Sequence, residues 1–194
     1  MKEFKFETER LILRKPEMRD CTDIMEGAGE LDVSKMTANI PYPYSIKDAE
    51  RFINNVNENW SNETGFSFAI ELKNENKVIG IMGLGNIDKF NGTSTTGSWI
   101  NKSYWRNGYI TEAKIAVNDF AFNELNLRRL NSFVNNNNIA SNATQIKIGY
   151  KLEGTRKKAS RSKATGEIHD DNVYGLLKED WEIARANLIS NNTH

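Results

Sequence analysis

The stretch Ser103-Tyr-Trp-Arg-Asn-Gly-Tyr-Ile-Thr-Glu-Ala113 carries the residue pattern most able to do chemistry in this chain. It joins an alternating segment that ends near Ile100 to an apolar stripe at helical spacing, Ala113, Ala116, Val117, Phe120 and Ala121. A strand, a short loop with a glycine and then a helix N-terminus make a place for an anion. The first amides of a helix have no intrahelical partner, and the helix dipole favours negative charge beside them. Gly108 lets the backbone approach a ligand with no Cβ in the way. A single glycine at a helix start is more often structural than functional, so the pattern alone names no ligand. Neither G-x-x-x-x-G-K-[ST] nor G-x-G-x-x-G occurs, which argues against P-loop and Rossmann nucleotide sites.

Other reactive side chains read more plainly. Cys21 could be paired with His169 as a nucleophile, but a small buried residue is the simpler reading. Glu112, in the first helical turn, complements the macrodipole. Arg156, Lys157, Lys158, Arg161 and Lys163 form a basic cluster that reads as a solvated loop face, because no aromatic residue is interleaved with the charges. Pro41-Tyr-Pro-Tyr44 is a rigid extended segment, since each proline fixes its own φ and restrains its predecessor. Its tyrosines serve packing or border a substrate pocket.

These groups need a scaffold. The alternation of Phe4 to Arg14 predicts a first strand, and Asp20 to Gly27 a short helix. Ser45 and Asp48 form a capping box for a helix to about Trp60. Strands are expected at Phe66–Leu72, Val78–Leu84, Thr95–Ile100 and Leu130–Val134, with a turn at Asn91-Gly92. A helix ending at Gly149 follows the polar loop Asn135 to Asn138. Strands at Tyr150–Gly154 and Ile168–Leu177 flank a long hairpin loop, Arg156 to Gly166. The order implies an α/β (α+β) fold on one mixed sheet, as a single domain over residues 1–185 with a frayed tail at 186–194.

Bulk properties agree. At 194 residues the chain suits one domain of about 150 or somewhat more. Its 26 Lys+Arg and 26 Asp+Glu cancel, which argues against a nucleic-acid or acidic-membrane partner. With one Cys and two His, neither a disulfide framework nor a metal site is expected. No apolar run approaches the roughly 20 residues of a membrane span, and the charged start is no signal peptide. The expected setting is cytoplasmic.

The signature Tyr104-Trp-Arg-Asn-Gly-Tyr-Ile-Thr-Glu-Ala113 resembles the Y-W-x-x-G-Y-A-T-E-A run of the GNAT acetyltransferases, in their RimJ/RimL-like branch. The likeness spans nearly the whole chain. Thr8 to Arg14, Val78-Ile-Gly80 with Gly83-Leu84, Gly97-Ser-Trp-Ile100, Leu127 to Leu130, Asn138-Ile-Ala-Ser141, Gly149-Tyr150 and Asp170 to Trp181 fall in the family's order.

The resemblance implies that acetyl-CoA, with no metal, lies between two parallel strands that splay apart, here Thr95–Ile100 and Leu130–Val134. Ser98, Trp99 and Ile100 would pair with the pantetheine amides through their backbone. Trp105, Arg106, Asn107, Gly108, Tyr109, Ile110 and Thr111 would wrap the pyrophosphate, and Asn138 and Ser141 would touch the cofactor's arm. Trp105 replaces the family's Gln/Arg, and Ile110 its small Gly/Ala. The implied reaction is direct attack of an amine on the thioester, with a backbone N–H near Ile100 holding the oxyanion. Ser141 or Tyr150 would supply the thiolate's proton.

One departure bears on the acceptor. Thr95 stands where relatives often carry a basic Glu, so the base is another residue, a water or nothing. An α-amine of pKa about 7.7–8.0 is roughly 10–20 % neutral at pH 7, whereas lysine, at about 10.4, is neutral roughly four parts in ten thousand. Lacking a base costs the first about 1 kcal/mol and the second over about 4 kcal/mol. The expected acceptor is therefore an α-amine of a protein or peptide. A small amine such as an antibiotic or polyamine is the alternative, as is a catalytically silent acyl-CoA-binding module. A homodimer is left open.

Overall fold

Alternation along the first half of the chain builds the sheet. In a computed structural model, which describes residues 4–191, a short hairpin of β1 (Phe6–Glu7) and β2 (Leu11–Arg14) is followed by α1 (Cys21–Ala28), α2 (Leu31–Ser34) and α3 (Ile46–Asn62). Then come β3 (Phe66–Leu72), β4 (Lys77–Asp88), β5 (Thr93–Ile100), α4 (Tyr109–Asp119), β6 (Arg129–Asn135), α5 (Ile139–Lys147), β7 (Lys151–Arg161), β8 (Ile168–Leu177) and α6 (Lys178–Asn191). The eight strands form one sheet in the order β1-β2-β3-β4-β5-β6-β8-β7. Every pairing is antiparallel except β5 with β6.

Strand alternation sends side chains to two layers. On one face, Phe66, Phe68, Ile70, Leu130 and Leu176 pack with Val117 and Phe120 from the α4 side. Phe120 gathers Phe4, Phe6, Phe66 and Phe68, with ring centroids 4.6–5.7 Å away. On the other face, Ala69, Val78 and Ile81 pack against Cys21 and Ile24 of α1 and Ala49 and Ile53 of α3. The α3 capping box forms as expected: the Asp48 N–H donates to Ser45 Oγ and the Ser45 N–H to Asp48 Oδ2.

Two expectations change. The first strand breaks into β1 and β2 because Thr8 N–H donates to the Leu11 carbonyl, folding Thr8–Arg10 into a turn. The basic segment is no long loop. It continues β7 to Arg161, leaving a turn of residues 162–167. Acidic Asp170 and Asp171 on β8 supply partners there: Lys157 and the Lys158 N–H bind Asp170, and Ser160 binds Asp171. An exposed ribbon carries no apolar alternation, so its sequence looked like loop. Helix α6 runs through Asn191, and the part of the expected tail at 192–194 lies outside the described residues.

Candidate active site

Strands β5 and β6 pair from Thr93↔Arg129 to Thr96↔Ser132 and no further. Past that rung, residues 97–100 of β5 keep β4 on one side and have no strand on the other. The gap opens into a cleft of about 940 Å³ that reaches both faces of the sheet. Alternation assigns the walls. Thr96, Ser98, Ser132 and Ile100 face α4 and α5, and Thr95, Gly97, Trp99, Phe133, His169 and Asp171 face α1 and α3.

The α4 end of the site is an uncapped helix. Gly108, at φ +80°, precedes Tyr109 and offers no side chain to the first-turn amides. Trp105, Arg106, Asn107 and Gly108 are exposed. Arg10 holds this loop from behind, donating to the Asn107 carbonyl at 2.9 Å and lying 4.4 Å from the centre of the Tyr109 ring. The same guanidinium donates to Glu112, which also accepts from Thr8 and the Arg10 amide. Burial alone would raise the Glu112 carboxyl, but these donors outweigh it and hold it below its ordinary range. Glu112 is therefore tied to the sheet's first hairpin as well as to the dipole. Ile110 packs against the main core, so its bulk points away from the open amides.

At the other side of the gap Asn138 caps α5, accepting from the Ser141 N–H at 3.1 Å. Asn138 and Ser141 line the cleft, as do Ser98 and Trp99. The Ile100 carbonyl accepts from the Trp105 indole at 2.8 Å, which ties the end of β5 to the loop. Tyr150 stands apart from these. It is fully buried beneath the sheet, with its hydroxyl 3.3 Å from Thr96 Oγ1 and 3.5 Å from Asn118 Oδ1. Burial raises the phenol above its ordinary range despite the Thr96 hydrogen bond, which makes it a weak proton donor.

The opposite mouth is polar. Asp48 and Arg51 of α3, paired with each other, share it with Tyr44, His169 and Asp171. Burial pushes Tyr44 up to about 12, with Asp48 and Cys21 adding to the rise. The turn after β7 closes the rim: the Lys163 N–H donates to the Ala38 carbonyl at 3.1 Å.

A strand edge left open beside a glycine-started helix matches known proteins. The model of the acetyltransferase (GNAT) domain matches residues 10–151. The chain belongs to the GNAT acetyltransferase family. The uncharacterized N-acetyltransferase p20 of Bacillus licheniformis is 28% identical over 174 residues, 90% of this chain and 96% of that one. Two solved structures share the fold. The ribosomal-protein-S5-alanine acetyltransferase of Vibrio fischeri superposes with a TM-score of 0.80 at 20% identity, covering 92% of this chain and 98% of that one. RimJ of Mycobacterium smegmatis, in complex with CoA-disulfide, gives 0.81 at 19%, covering 94% and 89%.

Within this GNAT enzyme some site-lining residues escaped the sequence pattern. Lys114 and Asn118, four apart on the inward face of α4, are both buried. Lys114 lines the cleft. Two polar residues inside an apolar stripe carry no pattern of their own, so the sequence does not mark them. His169 and Asp171 fall on the cleft face of β8, inside the strand expected at Ile168–Leu177, but alternation alone does not say that this face borders the cleft. Cys21 sits in the second core cluster, where burial raises its thiol, with Glu50 and Asp20 adding. Among the described residues no helix is long and apolar enough to cross a membrane.

Proposed function

We propose that this enzyme moves an acetyl group from acetyl-CoA to the α-amine of a peptide or protein. The observation that carries this reading is the parting of β5 and β6 beyond Thr96 and Ser132, which joins one face of the sheet to the other. The donor enters on the α4–α5 face and the acceptor on the α1–α3 face, so the two meet only in the gap.

The residues present fit such a donor. The first-turn amides of α4, unshielded at Gly108, suit a pyrophosphate. The free edge of β5 over Ser98, Trp99 and Ile100 offers backbone donors and acceptors to an extended amide chain. Acetyl-CoA supplies an activated acetyl thioester. Ser141, at the start of α5 and in the cleft wall, would offer its hydroxyl to the leaving sulfur as a hydrogen-bond donor. Tyr150, sealed under the sheet, serves to position Thr96. Thr95 faces the acceptor side and cannot take a proton at neutral pH, which favours an amine already part neutral, as the ribosomal-protein relatives' names also suggest.

Thiol release from acetyl-CoA, measured against peptides with free N-termini, polyamines and aminoglycosides, tests the reading. Turnover with peptides well above the small amines supports it. Turnover with polyamines or aminoglycosides alone reassigns the acceptor, and acetyl-CoA binding with no turnover on any amine makes the chain a silent binding module.

A further inference from the structure

Lys114 is the one lysine in the cleft wall that is almost fully buried, at 2% exposure. Its Nζ carries three donor hydrogens, and the single hydrogen bond to it among the described residues is a long one, 3.4 Å to Gln145 Oε1. Among the described residues no carboxylate forms an ion pair with it. The titratable side chain in contact is Tyr150, whose ring centre lies 5.9 Å from Nζ; Gln145, from α5, is neutral. A buried ammonium without a counter-charge is costly, and such a site gains when an anion arrives.

The connections of Lys114 say where such an anion would meet it. Gln145 donates to Ser132 Oγ at 2.8 Å, and Ser132 faces Thr96 in the last rung before β5 and β6 part. Gln145 lies one turn after Ser141 on α5, and both line the cleft. Lys114 thus sits under the apex of the gap, on the donor face, one side chain away from Ser141's helix face. On the acetyl-CoA reading above, on which this step rests, the apex is where the thioester ends.

We propose that the Lys114 ammonium is the cation that meets the sulfur of the leaving CoA and returns a proton to it. As the amine nitrogen bonds to the acetyl carbon, the C–S bond breaks and sulfur leaves with the electron pair. Lys114 gives one proton to sulfur, making the thiol. The amine left on Lys114 takes up the proton released by the acylated nitrogen through cleft solvent, so no net proton is gained or lost. A serine hydroxyl is a far weaker acid than a thiol, so Ser141 can relay this proton but cannot be its source. Burial pulls Lys114 down to about 8, close to an ordinary thiol at about 8.5, so transfer between the two is nearly level.

The test needs no acceptor. CoA bound to the wild-type enzyme is titrated by the ultraviolet absorbance of its thiolate, beside Lys114→Met, a substitution of similar length that removes the charge and its burial cost. The bound thiol should titrate at least about one unit below free CoA in the wild type, a factor of about ten in the proton equilibrium, and should lose that shift in Lys114→Met. Acetyl-CoA affinity by calorimetry should stay within about threefold, because the thioester is neutral, while kcat falls roughly 100-fold. Should Lys114→Met fail to fold, the wild-type titration alone decides. A bound thiol that titrates like free CoA in the wild type, or alike in wild type and variant, overturns the proposal while leaving the acetyl-CoA reading intact. A wild-type protein that binds neither CoA nor acetyl-CoA overturns that reading, and this inference with it.

Discussion

Replacing Gly108 by valine separates what the fold needs from what the ligand needs. Gly108 has φ +80° and ψ −1° immediately before α4. A Cβ there would meet only Arg10 Nη2, at 3.5 Å, an ordinary contact. The fold therefore resists substitution through the backbone alone. Left-handed geometry costs an L-residue about 1–2 kcal/mol. In a chain of this size each kcal/mol lowers the melting temperature by about 2–4 °C, so Gly108→Val should melt about 2–8 °C lower and remain folded. The ligand side is less forgiving, because the loop is exposed and two methyl groups would stand over amides proposed to take a pyrophosphate. Acetyl-CoA should bind at least about tenfold more weakly, about 1.4 kcal/mol. Gly108→Ala, with similar strain and one methyl, should lose less affinity. Calorimetry beside thermal melting reads both effects. A folded Gly108→Val with unchanged acetyl-CoA affinity would refute the placement of the phosphates on this loop.

Three further outcomes are expected. Ser141→Ala should lower kcat roughly 100-fold with acetyl-CoA affinity within a few-fold; lost affinity with kcat intact would make Ser141 a binding residue only. Thr95→Glu should raise kcat/KM at about pH 6–7 more than at about pH 9, and more for a lysine-type acceptor than for an N-terminal one; a wild-type inflection that stays put across acceptors of different pKa would show that a base is already present. Glu112→Gln weakens bonds from Thr8 and Arg10 and should cost about 1.5–3 kcal/mol of stability. Because the fold holds this carboxyl below its ordinary 4.5, its contribution is complete above that value and fades as pH falls through the lowered one. The gap in melting temperature between wild type and Glu112→Gln should therefore shrink on acidification, and a constant gap would contradict this role.

What the residues alone determined was local and periodic. The α3 capping box needs only Ser45 and Asp48 three apart, and Gly149, at φ +95°, ends the α5 region as a glycine can. The alternation of Phe66 to Leu72 and the glycine at the start of α4 place a strand and a helix without reference to anything distant. The order of the Tyr104–Ala113 signature and the later segments carried the family. Tertiary structure decided the rest, because the remaining facts are relations between segments far apart in the chain. That β5 and β6 part after one particular rung depends on pairing across 36 residues, Thr96 to Ser132. That Arg156 to Arg161 is strand depends on Asp170 and Asp171 of its partner, since solvent on both faces erases the apolar pattern. Lys114 shows the difference best. Its place in the sequence marks it as one more residue of an amphipathic helix, and only the packing of α4 on the sheet, with Gln145 of α5 beside it, encloses its ammonium with no carboxylate paired to it among the described residues.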